Sequence, residues 1–492
     1  MTQKSFKMIT PEGAQHITDA LQNAGYSAYV VGGCVRDAVL DKVPHDYDIC
    51  TSATPDEMKV VFDAINNKTY DTGIQHGTIS VTGIDGDLYE VTTYRIDGDY
   101  ADGRHPDSVS FVRDVNEDLS RRDFTINAMA YNQQDGLVDP FGGQTDCANK
   151  VIRCVGDANL RFQEDALRMM RAIRFASTYG FTIDPATAQA IHYNKHLLRN
   201  VSEERKMSEF TKFITHTNKE LLMQYSDLIA EFIPEIKPMI GFNQQNPWHK
   251  YDVYEHTARA VELAPHDTTI RLAAFFHDIG KPHVCKEAMG RRMFRGHQEK
   301  SFEIVNDVMK RMRFDSKTIK DVGAVVKHHD DPLIHNADRK NIKAMLRNVG
   351  EDTLRRVAAF QICDKQASRG TYAEFESMRY QDMTYEDSVV YNELKIMRNF
   401  DDKITEAINS GEPYRIQDLA INGNDLIAIG FEGRDIGDAL EGMTLNVITN
   451  PALNTRDRLL KLAQCYQRYW EGDSDKMPSD LLEDIENDRE IE

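Results

Sequence analysis

Apolar positions recur at helical spacing from Pro11 to Ala24 and stop at Gly25, which predicts a helix. Ala28 to Val31 is a short apolar run ending at Gly32 and Gly33, the pattern of a buried strand entering a tight turn. Val35 to Leu40 can then start a helix. Thr54 and Pro55 open another, with Thr54 as cap and Pro55 at its first position. His76 to Val81 and Leu88 to Arg95 are strand patterns separated by a turn around Asp85 and Gly86. Residues Asp97 to Asp107 are polar and read as a loop. Glu164 to Phe175 reads as one helix with Leu167, Met170, Ile173 and Phe175 on its core side. On that helix Asp165, Arg168, Arg171 and Arg174 recur every three residues as one slowly rotating polar stripe. From about Leu221 the chain reads as helical throughout, and its last part as short helices broken at Gly430, Gly433 and Gly437. The fold class expected is α+β: a mixed α/β head followed by helical segments.

Length changes this picture by requiring three or four domains in 492 residues. The formal charge of -20 argues against a general polyanion binder, but the charge is uneven. Glu471 to Glu492 holds ten acidic and two basic residues, whereas Arg161 to Glu220 holds ten basic and seven acidic ones. Local basic patches can therefore hold RNA where the whole surface would not. Seven cysteines lie far apart with no C-x-x-C pair, a reduced cytoplasmic pattern. The polar start, Met1 to Ser5, gives no signal peptide, and no apolar run approaches membrane-spanning length, so no membrane partner is expected.

The chemistry gathers first at Gly32-Gly33-Cys34-Val35-Arg36-Asp37 and at Asp46-Tyr47-Asp48. A glycine turn at a helix start presents free N–H groups that suit a phosphate, and Arg36 adds a fixed positive charge. Asp46 and Asp48, if on a strand, point to one face and can hold one or two Mg²⁺ ions. Two metals can activate an attacking hydroxyl and steady a leaving pyrophosphate. In Arg121-Arg122-Asp123-Phe124-Thr125-Ile126-Asn127, Arg122 can meet a phosphate, Asp123 a ribose hydroxyl and Asn127 either. The plainer alternative there is a capped amphipathic helix start. The stripe from Asp165 to Arg174 is either a solvated face or a carboxylate and guanidinium set in one plane to read a base edge.

Together these strings resemble the polymerase-beta-like nucleotidyltransferase superfamily, in particular the class II tRNA nucleotidyltransferases and bacterial poly(A) polymerases. The resemblance implies that Glu90 is a third catalytic carboxylate beside Asp46 and Asp48. It implies that Gly32, Gly33, Arg36, Arg122, Asp123 and Asn127 hold the nucleotide. It implies that Asp165 and Arg168 act as a protein template choosing CTP and then ATP, with Arg171 and Arg174 on the phosphates. Tyr100, Asp102, Arg104 and Pro106 resemble the loop this family uses when switching from C to A addition, which argues against a CC-only enzyme. Val201 to Phe210 resembles the neck-helix signature, and Leu419 to Gly437 resembles the tail that contacts the tRNA elbow. In that tail Arg434, Arg456, Arg458 and Lys461 can meet phosphates or stand as scattered surface charges.

A second constellation comprises His256, His277-Asp278, His297, His328-His329 and Asp364. An apolar helix ending in His-Asp buries groups that need a partner or a metal. The set resembles the HD phosphohydrolases, which implies His256, His277, Asp278 and Asp364 as ligands. His297 and one of His328 or His329 could complete a second position. Imidazole and carboxylate suit Mn, Ni, Co, Fe or Mg alike.

The expected organisation is a nucleotidyltransferase head over 1–150, a neck over 151–218, a helical HD body over 219–390 and a tail with an acidic end over 391–492. The expected activity is template-independent addition of CCA to tRNA from CTP and ATP, with Mg²⁺. The alternatives are an A-adding enzyme, a poly(A) polymerase, a metal phosphohydrolase whose head merely binds nucleotide, and a non-catalytic RNA-binding protein.

Overall fold

The computed structural model describes residues 6–98, 109–288, 290–331, 338–472, 477–482 and 485. The loop carrying Tyr100, Asp102, Arg104 and Pro106 lies outside the described residues. The chain forms two compact units, one running to Lys237 and including Val308–Phe314, the other comprising Pro238–Asp307 and the chain from Asp315 onward.

The first unit is built on a seven-stranded mixed sheet in the order β3-β4-β5-β2-β1-β8-β9. Its strands are β1 (Ala28–Val31), β2 (Asp48–Thr51), β3 (Thr69–Gly73), β4 (Thr78–Thr82), β5 (Leu88–Thr93), β8 (Ala130–Asn132) and β9 (Gly136–Val138). The short strands β6 (Arg95–Asp97) and β7 (Val109–Phe111) pair separately. Every residue of β1 is buried, as its unbroken apolar run requires. The helix Glu12–Asn23 buries Ala14, Ile17 and Leu21. Thr54 caps the helix Pro55–Ala64 in a reciprocal capping box with Glu57.

The pairing of β2 with β5 brings two carboxylates together. The strands run parallel with Ile49 opposite Val91, so Asp48 and Glu90 stand side by side on one face. Asp46 lies before β2 and not on it, so the expected strand placement of both aspartates holds only for Asp48. The expected single helix from Glu164 to Phe175 is broken. Ala158–Glu164 and Leu167–Tyr179 are separate helices, and Asp165 between them is extended at φ -142°, ψ 104°. The Asp165 carboxylate accepts the Leu167 N–H at 3.0 Å, a local bond that competes with helix continuation. The Thr125–Asn127 segment is a 3₁₀ turn rather than a helix start. Beyond the head, β10 (Val151–Ile152) and β11 (Thr182–Ile183) form a small parallel pair, so this part is not purely helical.

Among the described residues the second unit is helical apart from one hairpin, β12 (Lys286–Ala288) and β13 (Arg291–Met293), with Gly290 between them at φ +71°. The apolar helix Thr268–Phe276 delivers His277 and Asp278 at its end. In the tail the helix Arg434–Thr449 runs straight through Gly437, while the breaks fall at Gly430 and Gly433, both at positive φ. Leu426, Phe431, Met443, Val447, Leu459 and Leu462 form its core. Among the described residues no helix is long and apolar enough to cross a membrane.

Gly280 sits against the backbone of the helix His297–Arg311. A Cβ added there would lie 2.6 Å from both the His297 carbonyl oxygen and the Ser301 nitrogen. Gly280→Ala should therefore destabilise the second unit by about 1–3 kcal/mol, read as a lowered thermal midpoint.

Candidate functional site

The head holds a cleft of about 450 Å³ lined by Gly32, Gly33, Arg36, Asp48, Arg121, Arg122, Asp123, Asn127, Asp165, Leu167, Arg168, Arg171, Phe175 and Arg205. Six arginines face three aspartates there, an excess of positive charge suited to a polyphosphate. Gly32, at φ +79°, closes the turn after β1. An added Cβ would lie 2.9 Å from the Arg122 guanidinium.

The floor is a buried network. Asp123 accepts from Arg171 Nε at 2.7 Å, from Asn127 Nδ2 at 3.0 Å and from the Phe124 N–H at 2.8 Å. Burial alone would raise its carboxyl, but Arg171, with Asn127, outweighs it and holds the group at about 2. Asn127 Oδ1 accepts from Arg36 at 2.7 Å. Arg36 lies over the Tyr179 ring, 4.7 Å from its centroid. Arg122 bonds Asp118 at 3.2 Å, and its buried Nε has no hydrogen-bond partner, a donor left for something else. Arg174 does not face this cleft. It bonds Glu209 at 2.5 Å and stacks on Phe175.

Asp165 and Arg168 both line the cleft but are not paired with each other. Arg168 bonds Glu164 at 2.7 Å and donates to the Arg121 carbonyl at 3.1 Å. Asp165 is instead held by Arg205 from the helix Glu203–His216, at 2.7 and 3.3 Å.

Asp48 also belongs to a second cleft, lined by Pro11, His45, Asp46, Tyr47, Asp48, Ser80, Asp87, Leu88, Tyr89 and Glu90. All three expected catalytic carboxylates meet there. Burial first, then Glu90 and Asp46, raise the Asp48 carboxyl above its usual range against the pull of Arg122. Mutual repulsion of that kind is what a bound cation relieves.

The second unit brings the HD residues together. His256 Nε2 lies 2.8 Å from Asp364 Oδ1, and His277 Nε2 lies 3.1 Å from Asp278 and 3.3 Å from both His256 and Asp364. His297 Nε2 and His329 Nε2 approach to 3.0 Å on the other side of Asp278. Two groups of three ligand atoms result, His256-His277-Asp278 and Asp278-His297-His329. His277, His297 and His329 each direct Nδ1 at a backbone carbonyl three residues back, at 2.8, 2.9 and 2.6 Å. That bond fixes Nδ1 as the protonated nitrogen and turns the Nε2 lone pairs inward. Lone pairs facing each other at such distances, and an Asp278 Oδ1 with no hydrogen bond, fit a divalent cation. Burial keeps His297 and His329 neutral, both lowered to about 4. His328 turns away and pairs with Asp331 at 2.7 Å. Lys281 holds Asp278 at 2.7 Å.

Residues 28–153 match the poly A polymerase head domain, 180–240 the probable RNA and SrmB-binding site of polymerase A, and 249–367 the HD domain. A CCA-adding enzyme of Levilactobacillus brevis is 49% identical over 258 residues, 52% of this chain and 62% of that one. One from Lactobacillus delbrueckii subsp. bulgaricus is 47% identical over 225 residues, 46% of this chain and 55% of that one. The chain thus spans about half the length of the curated relatives it matches. The crystal structure of the Bacillus stearothermophilus CCA-adding enzyme in complex with CTP is 27% identical, with a TM-score of 0.68 over 95% of this chain and 100% of that one. The family this chain resembles is that of the class II CCA-adding enzymes.

Within that class II frame, several participants escaped the sequence reading. Arg205 lies in the neck-helix string, but nothing in its spacing points to Asp165 forty residues away. Glu209 and Lys281 are likewise engaged only through the fold. The choice of His329 over His328 was legible, because His329 continues the buried positions Val322, Val325 and Val326 at helical spacing. In the tail Arg434 and Arg456 are engaged with Asp438 and Asp425.

Because Asp278 belongs to both ligand groups, its loss should remove more metal than the loss of one histidine. After loading with Mn²⁺ and desalting, elemental analysis should find one tightly held ion fewer per chain in His329→Ala, two fewer in Asp278→Ala, and none fewer in His328→Ala.

Proposed function

We propose that this chain adds the 3′-terminal CCA to tRNA from CTP and ATP, working as head (1–150), neck (151–218), HD body (219–390) and tail (391–492). The observation that carries the reading is that Asp48 forms part of the wall of both an arginine-lined cleft and a carboxylate-lined one. The first suits a nucleoside triphosphate and the second an acceptor hydroxyl, on opposite sides of the reacting phosphorus. Arg36, Arg122 and Arg171 bind the phosphates, and Asp123 with Asn127 orients the ribose and fixes the arginines. Asp46, Asp48 and Glu90 would hold Mg²⁺, which when bound activates the acceptor hydroxyl and stabilises the departing pyrophosphate.

Base choice follows from hydrogen-bond chemistry. Cytosine and adenine both carry an exocyclic amino donor, whereas uracil and guanine present a carbonyl at the corresponding position. A fixed carboxylate acceptor therefore favours the first two. Asp165 is that acceptor, Arg168 is the matching donor, and Arg205 positions Asp165 without being expected to touch the base itself.

A second reading is favoured by the two ligand groups sharing Asp278. The HD cluster holds two divalent ions and hydrolyses phosphate esters, its metal identity being open among Mn, Ni, Co, Fe and Mg.

The test supplies Mg²⁺ and labelled CTP or ATP, singly and together, to tRNA transcripts ending before the CCA, after one C and after two. Ordered addition of C, C and A that then stops is expected. Addition of A alone to the CC-ended transcript would assign an A-adding enzyme, and unlimited A on any RNA a poly(A) polymerase. Asp48→Ala should abolish incorporation while tRNA binding persists, and retained incorporation would remove the metal assignment. Arg205→Ala should lower discrimination of CTP over UTP by about ten-fold or more, and rescue by Arg205→Lys should be partial.

A further inference from the structure

The stretch Lys281 to Lys300 carries six lysines and arginines against two glutamates in a chain of net charge -20. It contains the hairpin β12–β13 and runs into the rim of the HD cleft, a cavity of about 730 Å³ whose lining includes Trp248, Lys281, Phe294, Arg295 and Asp278. The hairpin register makes its two faces distinct. Glu287 faces Arg292, and this face is tied down, with Arg292 bonding Glu287 at 3.0 Å and the Asn243 carbonyl at 2.6 Å and lying over the Phe242 ring. Lys286 and Arg291 share the opposite face with Ala288 and Met293. Lys286, Arg291 and Arg295 are exposed and make no ion pair among the described residues. Clustered surface lysines and arginines are usually balanced by neighbouring acids. Here a basic face is held rigid by its anchored reverse side and left unneutralised beside a cleft.

The same rim carries aromatic surface. Trp248 is 37% exposed, and Tyr385 is 73% exposed with its ring 6.2 Å from that of Trp248. Cations that track phosphates, interleaved with flat rings open to solvent, are the composition of a single-strand nucleic-acid platform. The base faces inside a duplex are stacked away, and the carboxylates of an acidic peptide would engage the cations but not the rings.

We propose that the hairpin and the Trp248–Tyr385 pair form a binding platform for single-stranded RNA at the mouth of the HD cleft. Phosphates lie along Lys286, Arg291 and Arg295, a base stacks on Trp248, and the strand's end points to Asp278. The inference deepens the phosphoester reading of that cluster and rests on it only for the purpose of the bound end.

The chain has two tryptophans, Trp248 and Trp470, so Trp470→Phe leaves a single tryptophan, at the rim, excited selectively over the tyrosines. In that full-length variant, octauridylate should quench the Trp248 emission saturably. Arg291→Glu with Arg295→Glu should raise the midpoint several-fold, and the salt dependence should flatten by about 0.7 log units per charge removed. UMP and inorganic phosphate should quench only at far higher concentrations. Absence of quenching, quenching indifferent to the charge reversals, or equal quenching by UMP would each overturn the platform. Metal-dependent hydrolysis of bis(p-nitrophenyl) phosphate reports the phosphoester reading separately. Quenching without hydrolysis sinks that reading and leaves the platform, and hydrolysis without quenching does the reverse.

Discussion

The buried carboxylate of Asp123 is the constraint on which the head depends. A charge in that position is costly unless it is paired and hydrogen-bonded. Arg171, Asn127 and the backbone N–H of Phe124 answer it, and Asn127 passes the requirement on to Arg36. Three separate pieces of chain are thereby fixed: the helix after β1, the stretch from Asp123 through the Thr125–Asn127 turn, and the helix Leu167–Tyr179. The arginines of the cleft are immobilised before any ligand arrives, so little side-chain freedom remains to be lost on binding.

The second unit solves the same problem with different groups. Its buried charges converge on Asp278, with imidazoles oriented by backbone carbonyls rather than guanidinium forks. Burial works against the charged form of His277, yet Asp278 and Asp364 outweigh it and raise the group to about 10. Either a proton or a metal between these residues would answer the two carboxylates. In the head the cations are covalently part of the chain, and the cleft remains for an anion. In the HD cluster the chain supplies two carboxylates and several imidazoles with one ammonium, Lys281, against Asp278, an arrangement that favours a further cation.

Local signals carried much of this into the sequence. β1 follows from four consecutive apolar residues before two glycines, and the helix at Pro55 follows from Thr54, Pro55 and Glu57. The recurrence of Asp165, Arg168, Arg171 and Arg174 was misleading as geometry. A spacing of three fits one helix, but it also survives a break in which a carboxylate caps its own neighbour. The partners of these groups were not legible, because Arg205 and Glu209 reach them across the fold. The hairpin was hidden for another reason: three-residue strands rich in charge show no alternation that distinguishes them from a polar helix.

Asp48 lines both head clefts. On the proposed reading, two openings onto one carboxylate would separate the traffic of the site. A triphosphate entering through the arginines and a strand entering past Tyr47 and Glu90 would never compete for the same passage. Pyrophosphate could leave by the door through which the nucleotide came, with the lengthened strand still in place. On that reading, what would have to move between successive additions is only the strand, by the length of one nucleotide.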